Sequence, residues 1–520
     1  MVAGRTPASA TRQSPINPTV RETIMTTQPI KNTAEHLASL RDGRTVYING
    51  ELVDDVTEHA AFRNSVRTAA NLYDYQAHPA NIETMTFESP TSGRRVNRAW
   101  QMPESYGELV VRRNALIAWA EQHGGFMGRS PDHLASAVTG QLMGLDLFEA
   151  YDKDRAKAFW DYYVHARDND LYLTYVIINP QVDRSKAAAD LNNDDPMMKI
   201  VDEDNEGVTV RGAKMLGTSS IMANEVFVAH LQPLRPDEED YAICFALPME
   251  TKGLKVLSRK SYEQHAVSQF DDPLASHYDE NDALMYFDDV KVPWERIFVH
   301  RSPEMCRRQF HDTPGHIYQN YQAQIRITVK LKFLAGLARA ICETIGTVRM
   351  PPVADALGKL AAQAAAVENM MWGMEAKGRH WGKYFVPDRH AVYAAQTLTQ
   401  ELYPQVINTI RELSGGALIM LPSSAADFGN PELAKIIEKV QISADGRKDT
   451  NRIKLMKLAW DAVGSEFAGR HTQYEMFYAG AQFVTRAHSF RTYDWGKAAE
   501  LISTVTDRYD LDGSIKDAGK

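Results

Sequence analysis

The hydrophobic period of this chain changes twice, and that order limits its fold more than any single motif. From about residue 30 to 165 apolar residues recur at helical spacing. YGELVVRRNALIAWAEQ, for instance, sets Leu109, Leu116, Ile117 and Ala120 near one face, with charge elsewhere. From 171 to about 300 the chain turns to alternating and β-branched runs: LYLTYVIINP, GVTVRGAKML, EVFVAHL, YAICFAL, GLKVLS and ALMYFDDVKVPWERIFV. Asn, Gly, Asp and Pro separate them, which predicts antiparallel strands. After 315 helical spacing returns. Ile327, Leu331, Leu334, Ala338 and Ile341 mark one stripe, and Leu357, Leu360, Val367, Met371 and Met374 another. VYAAQTLTQELYPQVINTIREL then runs into Ser414-Gly415-Gly416, a glycine stop.

The expectation is an α+β, mainly α chain, with a β domain (166–305) clasped between helical domains (25–165 and 306–520) and clefts at the junctions. There is no internal repeat, no βαβ alternation and no GxGxxG or P-loop fingerprint, so a classical nucleotide-binding sheet is disfavoured. The first residues, 1–24, are polar and Pro-rich without an apolar centre, and are expected to be a disordered extension. Periodic sequence begins near Met25.

A length of 520 residues suits a large core in two or three substructures. A net charge of −9 argues against a nucleic-acid partner, whose phosphates need a basic face. No run of about 18 apolar residues suggests a membrane span. Cys244, Cys306 and Cys342 are far apart and make no metal-ligand spacing. That fits a reducing cytoplasm and leaves no reason to expect a metal site.

In GGFMGRSPDHL, residues 124–134, the glycines allow a sharp bend and a close approach. Ser130 is a good helix N-cap, Pro131 fits the first turn, and Asp132 suits the helix dipole. Arg129 is thereby held just outside a helix start. Two readings stand, a capped turn with a solvated arginine and a contact to an anion or polar ligand. VIINPQVDR, residues 176–184, ends a strand in Asn-Pro punctuation before a polar loop. RGAKMLGTSS, 211–220, reads as a hairpin ending in hydroxyls. TPGHIYQNYQ, 313–322, holds His316 at a helix start, and GSEFAGRHTQYEMFYAGAQFV, 464–484, mixes glycines, Arg470, His471 and aromatics whose spacing suits a core. No Ser-His-Asp order, HExxH or metal box is present.

Together, MGRSPDH, NPQVDR, RGAKMLGT, DDVKVPWERIFV, LPSSAADF and GSEFAGRHTQYE, in this order, resemble the large oxygenase component of two-component flavin-dependent aromatic monooxygenases. That family includes 4-hydroxyphenylacetate 3-monooxygenase and the chlorophenol and nitrophenol monooxygenases. SLRDGRTVYINGELVDDVTEHAAFR is also typical of it, and the resemblance covers roughly nine-tenths of the chain. It implies an acyl-CoA dehydrogenase-like fold, usually a homotetramer, and FAD arriving as FADH2 from a separate NAD(P)H:flavin reductase, with O2 as co-substrate. The missing nicotinamide fingerprint is then expected.

The resemblance places flavin contacts at Tyr175, Val176 and Ile177, at Gln181, Val182, Asp183 and Arg184, at Thr218, and at Ala481, Gln482, Phe483 and Val484. It places the Arg129 segment along the substrate pocket. Two departures bear on the substrate. Tyr175 stands where the hydroxyphenylacetate enzymes tend to carry histidine, and His133 where some carry tyrosine; those positions hold their substrate. His316 matches the histidine that meets the phenol oxygen in halophenol and nitrophenol enzymes. The favoured reaction is therefore hydroxylation of a simple, halogenated or nitro-substituted phenol through a C4a-hydroperoxyflavin, with His316 as base or phenolate partner and Arg129 as fixed positive donor. Ionising a phenol of pKa about 10 at neutral pH costs roughly 4 kcal/mol, which such a pair would offset. The alternatives are 4-hydroxyphenylacetate itself as substrate, an acyl-CoA dehydrogenase-like oxidase or dehydrogenase on the same fold, or a non-catalytic helical scaffold.

Overall fold

The computed structural model describes residues 30–183, 185–186, 190, 196–446 and 450–512. The expected extension, 1–24, lies outside them, as does Arg184. Strands form where the sequence alternates: β1 Thr45–Ile48, β2 Glu51–Val53, β3 Thr86–Glu88, β4 Arg95–Asn97, β5 Leu173–Val176, β6 Lys199–Glu203, β7 Gly207–Met215, β8 Glu225–Val228, β9 Ile243–Pro248, β10 Leu254–Ser258, β11 Ala283–Pro293 and β12 Ile297–His300. Two sheets carry the middle of the molecule, one ordered β2-β1-β10-β11-β7-β6 and the other β12-β9-β8-β5. Their facing sides share a core that includes Val210, Val226, Phe245, Met285 and Phe287.

Three expectations need correction. The N-terminal stretch is not purely helical, because β1 and β2 extend the larger sheet, with β1 parallel to β10. The middle sheets are not purely antiparallel either, since β5 also runs parallel to β8. Finally, RGAKMLGTSS is not a hairpin. β7 pairs with β6 and β11, and the chain then turns through Leu216 and Ser219, both with left-handed backbone (φ 65° and 67°), and crosses to the other sheet.

Helices occupy both sides of this β region. From the N-terminal side, Lys153–Asp168 lays Phe159 against Phe298 of β12, with stacked rings 4.5 Å apart. From the C-terminal side comes Gly315–Ile345, whose residues 315–331 are buried without interruption. A helix hydrophobic all round is one surrounded by other elements, and here polar residues are buried as well. Helices Pro351–Ala376, Arg389–Ser414, Asn451–Val463 and Glu466–Phe477 complete the bundle, and Arg389–Ser414 ends at Gly415 as expected. The result is the α+β, mainly α, helical–β–helical architecture of the acyl-CoA dehydrogenase-like fold. All three cysteines are buried and free. Among the described residues, no helix is long and apolar enough to cross a membrane.

Candidate active site

The Arg129 turn is shaped by what it touches. Gly124 and Gly125 adopt left-handed backbone (φ 57° and 77°), and the turn then passes so near helix Glu466–Phe477 that a side-chain carbon on Gly128 would meet the Tyr474 oxygen at 2.4 Å. Pro131 opens helix Pro131–Leu142 as expected. Ser130 precedes it but does not cap it with its side chain; its hydroxyl donates instead to the Asp132 carboxylate.

Arg129 is buried. Its backbone N–H donates to Glu280, and its carbonyl accepts from the Tyr172 hydroxyl at 2.7 Å. Its guanidinium donates to Tyr474 Oη at 2.7 Å and lies over the rings of Tyr175 and Tyr474, 5.2 and 5.1 Å from their centroids. Burial opposes that charge, but Tyr175, Tyr474 and Glu280 outweigh it and raise the pKa. The arginine is therefore a permanent buried cation whose head meets aromatic and phenolic groups.

This cation borders a cavity of about 540 Å³ between the β region and helix Glu466–Phe477. Tyr175, Ile177, Met215 and Thr218 line the β side, and Arg470, Tyr474 and Phe477 line the helical side. Arg470 is fully committed to the protein. It grips Asp282 with two bonds (2.7 and 3.0 Å) and reaches Glu280 at 3.2 Å. Asp282 also accepts from Arg259 at 2.9 Å and from the Thr218 hydroxyl at 2.6 Å. Burial works against the charged form of Asp282, but Arg470 and Arg259 hold its pKa far below the ordinary carboxylate value. The cluster braces the left-handed turn on which Thr218 sits.

Behind Tyr175 stands His133, its ring stacked on the tyrosine at 5.8 Å. Its Nδ1 is 2.9 Å from Gln322 Oε1, and its Nε2 is 3.4 Å from Gln319 Nε2, which also donates to Tyr175 Oη at 3.1 Å. Burial first, and then the Arg129 charge, push its pKa well below the usual histidine value, so the ring is neutral at pH 7.

His316 is placed differently. Neither histidine lines this cavity, but whereas His133 stacks on the lining residue Tyr175, His316 packs elsewhere. Its Nδ1 lies 3.0 Å from Tyr393 Oη, and its ring meets those of His311 and His488, at 4.6 and 5.3 Å. The donor nitrogens of the three histidines lie within 4.8 Å of one another. Arg491 donates to His488 Nδ1, however, and burial first, then the charges of Arg389 and Arg491, lower the His311 pKa, so a cation there would face positive neighbours.

The other expected flavin contacts divide between places. Tyr175, Ile177 and Thr218 border the main cavity, while the Val176 side chain is packed in the inter-sheet core. Gln181, Val182 and Asp183 line a second, more polar cavity of about 330 Å³ with Asn179, His230 and Arg235. Ala481 precedes helix Gln482–Thr492, and neither it nor Gln482, Phe483 or Val484 lines either cavity; Phe483 is 71% exposed. Sequence reading missed Tyr474, Asp282, Gln319 and Gln322. The first lies in GRHTQYE, where its helical spacing reads as core; the glutamines carried no signal.

The residues present suit a flavin. A flat, largely apolar ring fits the Ile177, Met215 and Phe477 walls, and a side-chain carbon on Gly469 would meet nothing within 4 Å, so the glycine leaves that wall open. In the polar cavity, His230 Nε2 and Asn179 Oδ1 are buried without a partner among the described residues, as groups awaiting a polar ligand would be.

The family model described as 4-hydroxyphenylacetate 3-hydroxylase N terminal matches residues 32–299, and its C-terminal counterpart matches 306–507. The chain is 35% identical over 459 residues to the 4-hydroxyphenylacetate 3-monooxygenase oxygenase component of Geobacillus sp. (strain PA-9), covering 87% of this chain and 91% of the relative. It is 34% identical over 502 residues to the 4-nitrophenol 2-monooxygenase oxygenase component of Rhodococcus sp., covering 92% of each. A crystal structure of the oxygenase component of 4-hydroxyphenylacetate 3-monooxygenase with FAD and 4-hydroxyphenylacetate superposes with a TM-score of 0.87 at 31% identity, over 92% of this chain and 98% of that one. With both halves matched and a third of the residues shared across nearly the whole length, the chain belongs to the 4-hydroxyphenylacetate 3-hydroxylase family.

Proposed function

We propose that the chain is the oxygenase component of a two-component flavin-dependent monooxygenase that hydroxylates a phenol, with FADH2 delivered by a separate flavin reductase. The observation that carries this reading is the buried Arg129 guanidinium on an aromatic cavity, facing phenolic rings and standing beside neutral His133. Tyr175, Ile177 and Thr218 are proposed to hold the flavin ring. Gln181, Val182, Asp183 and Arg184 would hold its polar extension, and Ala481–Val484 would complete the site. When bound, reduced FAD with O2 supplies an electrophilic oxygen atom. The protein's part is to fix the phenol, stabilise negative charge on its oxygen and exclude water. Arg129 does the second in a low-dielectric setting, where a fixed cation acts most strongly. Tyr474 and Phe477 help close the cavity to water.

A proton acceptor for the phenol must stand near Arg129. Both histidines are already bonded within the protein, His316 to Tyr393 and His133 to Gln322, but only His133 stands against Tyr175, on whose ring Arg129 lies. The proton-accepting contact is therefore assigned to His133, with His316 as the competing candidate. A simple, halogenated or nitro-substituted phenol is favoured over 4-hydroxyphenylacetate. The cavity's other guanidinium, Arg470, is held by Asp282 and Glu280, so no second unpaired guanidinium lines the cavity to meet a substrate carboxylate. Self-association, which a homotetramer would provide, is supported by the last helices, where Phe490, Trp495, Leu501, Ile502 and Val505 are all exposed.

The test is turnover of a phenol panel with an FADH2-generating reductase under ¹⁸O2. Hydroxylated product carrying one labelled oxygen is expected. Consumption of FADH2 to hydrogen peroxide alone, with every phenol returned unchanged, would overturn the reading. Tight retention of oxidised FAD in preference to reduced FAD would favour the dehydrogenase alternative.

A further inference from the structure

We infer that Lys214 and His230 act as a proton-coupled pair, the buried lysine charge making His230 a hydrogen-bond donor to an oxyanion held in the second, polar cavity. The group meant is a phosphate or a carboxylate. On the two-component reading above, on which this rests, it has two sources: the diphosphate of FAD and an acidic side group on the phenol.

Lys214 stands where the strand pattern calls for a core residue. Residues two apart on a strand share a face, and Val208 and Val210, on the Lys214 face of β7, pack in the inter-sheet core. Lys214 itself is 0% exposed. Its hydrogen bond goes to His230 Nδ1 at 3.3 Å, and among the described residues no carboxylate pairs with it. The titratable groups that face it besides His230 are the thiols of Cys244, on β9, and Cys306, on helix Pro303–His311. Burial raises both thiol pKa values, that of Cys306 to about 12, so neither is an anion at pH 7. A buried ammonium without a counter-charge is costly, and burial accordingly pulls the Lys214 pKa down to about 7.

His230 connects this charge to the cavity. It follows β8, is buried, and lines the cavity, whereas Lys214 stands behind it. Burial first, and then the Lys214 charge, keep the ring neutral. An ammonium can only donate, so Nδ1 accepts from Lys214 and the ring hydrogen sits on Nε2. Nε2 is buried and meets no partner among the described residues. A buried N–H left unmet costs free energy, and one backed by a cation is best met by an anion. The other described charges lining the cavity are engaged already. Lys186 pairs with Asp183 at 3.5 Å, Arg235 pairs with Asp190 at 2.9 Å, and Glu238 accepts from the Arg235 backbone N–H at 2.8 Å.

Once Lys214 loses its proton, its amine can accept from Nδ1–H, and Nε2 then turns a lone pair to the cavity, which repels an oxyanion. Binding therefore follows the proton. Oxyanion affinity is full below about pH 7 and is lost as pH rises, by about tenfold from pH 6 to pH 8. At pH 8 each oxyanion bound brings about one proton onto Lys214.

The test is calorimetry at pH 8 in two buffers of unlike ionisation enthalpy, which reports the protons taken up on binding. FAD is compared with riboflavin on the protein, and 4-hydroxyphenylacetate with phenol on the FAD-loaded protein. Uptake of about one proton more by FAD than by riboflavin would assign the site to the diphosphate. The same excess for 4-hydroxyphenylacetate over phenol would assign it to a substrate carboxylate. Lys214→Met should abolish the excess and weaken the ligand concerned by about tenfold or more at pH 6. Lys214→Arg keeps the charge at every pH and should keep the affinity while abolishing the excess. A lysine that served packing alone would move neither. His230→Leu stands in if the lysine variants do not fold, and should weaken the same ligand at pH 6 to a similar degree. No excess in either comparison, with FAD and phenol both bound, would overturn the pair's role and leave the phenol reading intact, as would an excess that persists in Lys214→Met. A wild type that binds neither FAD nor any phenol would overturn both.

Discussion

Gly128 and Tyr474 occupy neighbouring elements so closely that no side chain other than hydrogen fits between them. A carbon added to Gly128 would stand 2.4 Å from the tyrosine oxygen and 2.5 Å from the ring carbon bearing it. Tyr474 in turn accepts from Arg129. Gly128→Ala should therefore displace Tyr474 and loosen Arg129, costing about 1–3 kcal/mol through overpacking. Phenol affinity should fall with it. In a double-mutant cycle with Tyr474→Ala the two effects should be far from additive; additive losses would mean that the glycine serves only the turn.

Arg129→Lys probes the shape of the cation rather than its charge. A guanidinium can lie flat between Tyr175 and Tyr474 while donating to Tyr474, whereas an ammonium is a point charge on a flexible stem. Phenol affinity is expected to fall by about tenfold or more with thermal stability nearly kept, since bonds to charged groups contribute roughly 1.5–3 kcal/mol. Equal phenol affinity in the lysine variant would mean that the positive charge alone, and not the flat guanidinium, serves the site.

Beneath this site, Glu475 accepts two bonds from Arg326 (2.6 and 2.7 Å) and one from Lys330 (2.9 Å), all three side chains being buried. Burial opposes the Glu475 charge, but Arg326 and Lys330 lower its pKa to about 2 from 4.5. A carboxylate with a depressed folded-state pKa adds stability that is complete above the unfolded value and is lost as pH falls through the folded one. The acid loss due to this residue should thus run from about pH 4.5 down to about 2. Lys330 is pulled down to about 8, chiefly by burial, so its contribution grows as pH rises from there toward 10.5. Glu475→Gln should cost about 3–5 kcal/mol at neutral pH by leaving buried cations unpaired. Denaturant unfolding of variant and wild type at pH 7 and pH 3 should show the difference between them shrinking in acid. A constant difference would remove Glu475 from the acid response.

Much of this was legible in the sequence, for reasons that also mark the limits. The two changes of hydrophobic period reported which stretches pack as helices and which as strands, because burial on one face leaves a local signature. That β1 and β2 join the middle sheet was not legible, since strands of four and three residues are too short to show a period and β10, the partner of β1, lies some two hundred residues away. Arg129 stood out because glycines and a helix start surround it. Tyr474 did not, because an aromatic at helical spacing reads as core until the glycine across from it is located. Gln319 and Gln322 were silent for a different reason. An amide's role depends on which end faces which neighbour, and that is a property of the packed helix pair. His133 and His316 are chemically alike on paper, and only their surroundings separate them.

That separation is testable. His133 is packed against Tyr175 beside Arg129, and His316 against Tyr393, His311 and His488. Burial leads in lowering both pKa values, helped by Arg129 at His133 and by His311, His488 and Arg389 at His316. Each ring is therefore neutral at pH 7 and chemically able to accept a proton, so protonation state cannot choose between them; proximity must. His133→Ala should weaken phenol binding to the FAD-loaded protein by roughly tenfold or more, the cost of about one to two lost hydrogen bonds. It should also turn reducing equivalents toward hydrogen peroxide. His316→Ala should change phenol affinity by less than about threefold while lowering the unfolding temperature through the lost Tyr393 contact. Calorimetric phenol binding and the ratio of hydroxylated product to peroxide, read on both variants, decide the matter. A large affinity loss in His316→Ala with none in His133→Ala would move the proton-accepting role to His316, and would require the Tyr393 bond to open when a phenol enters.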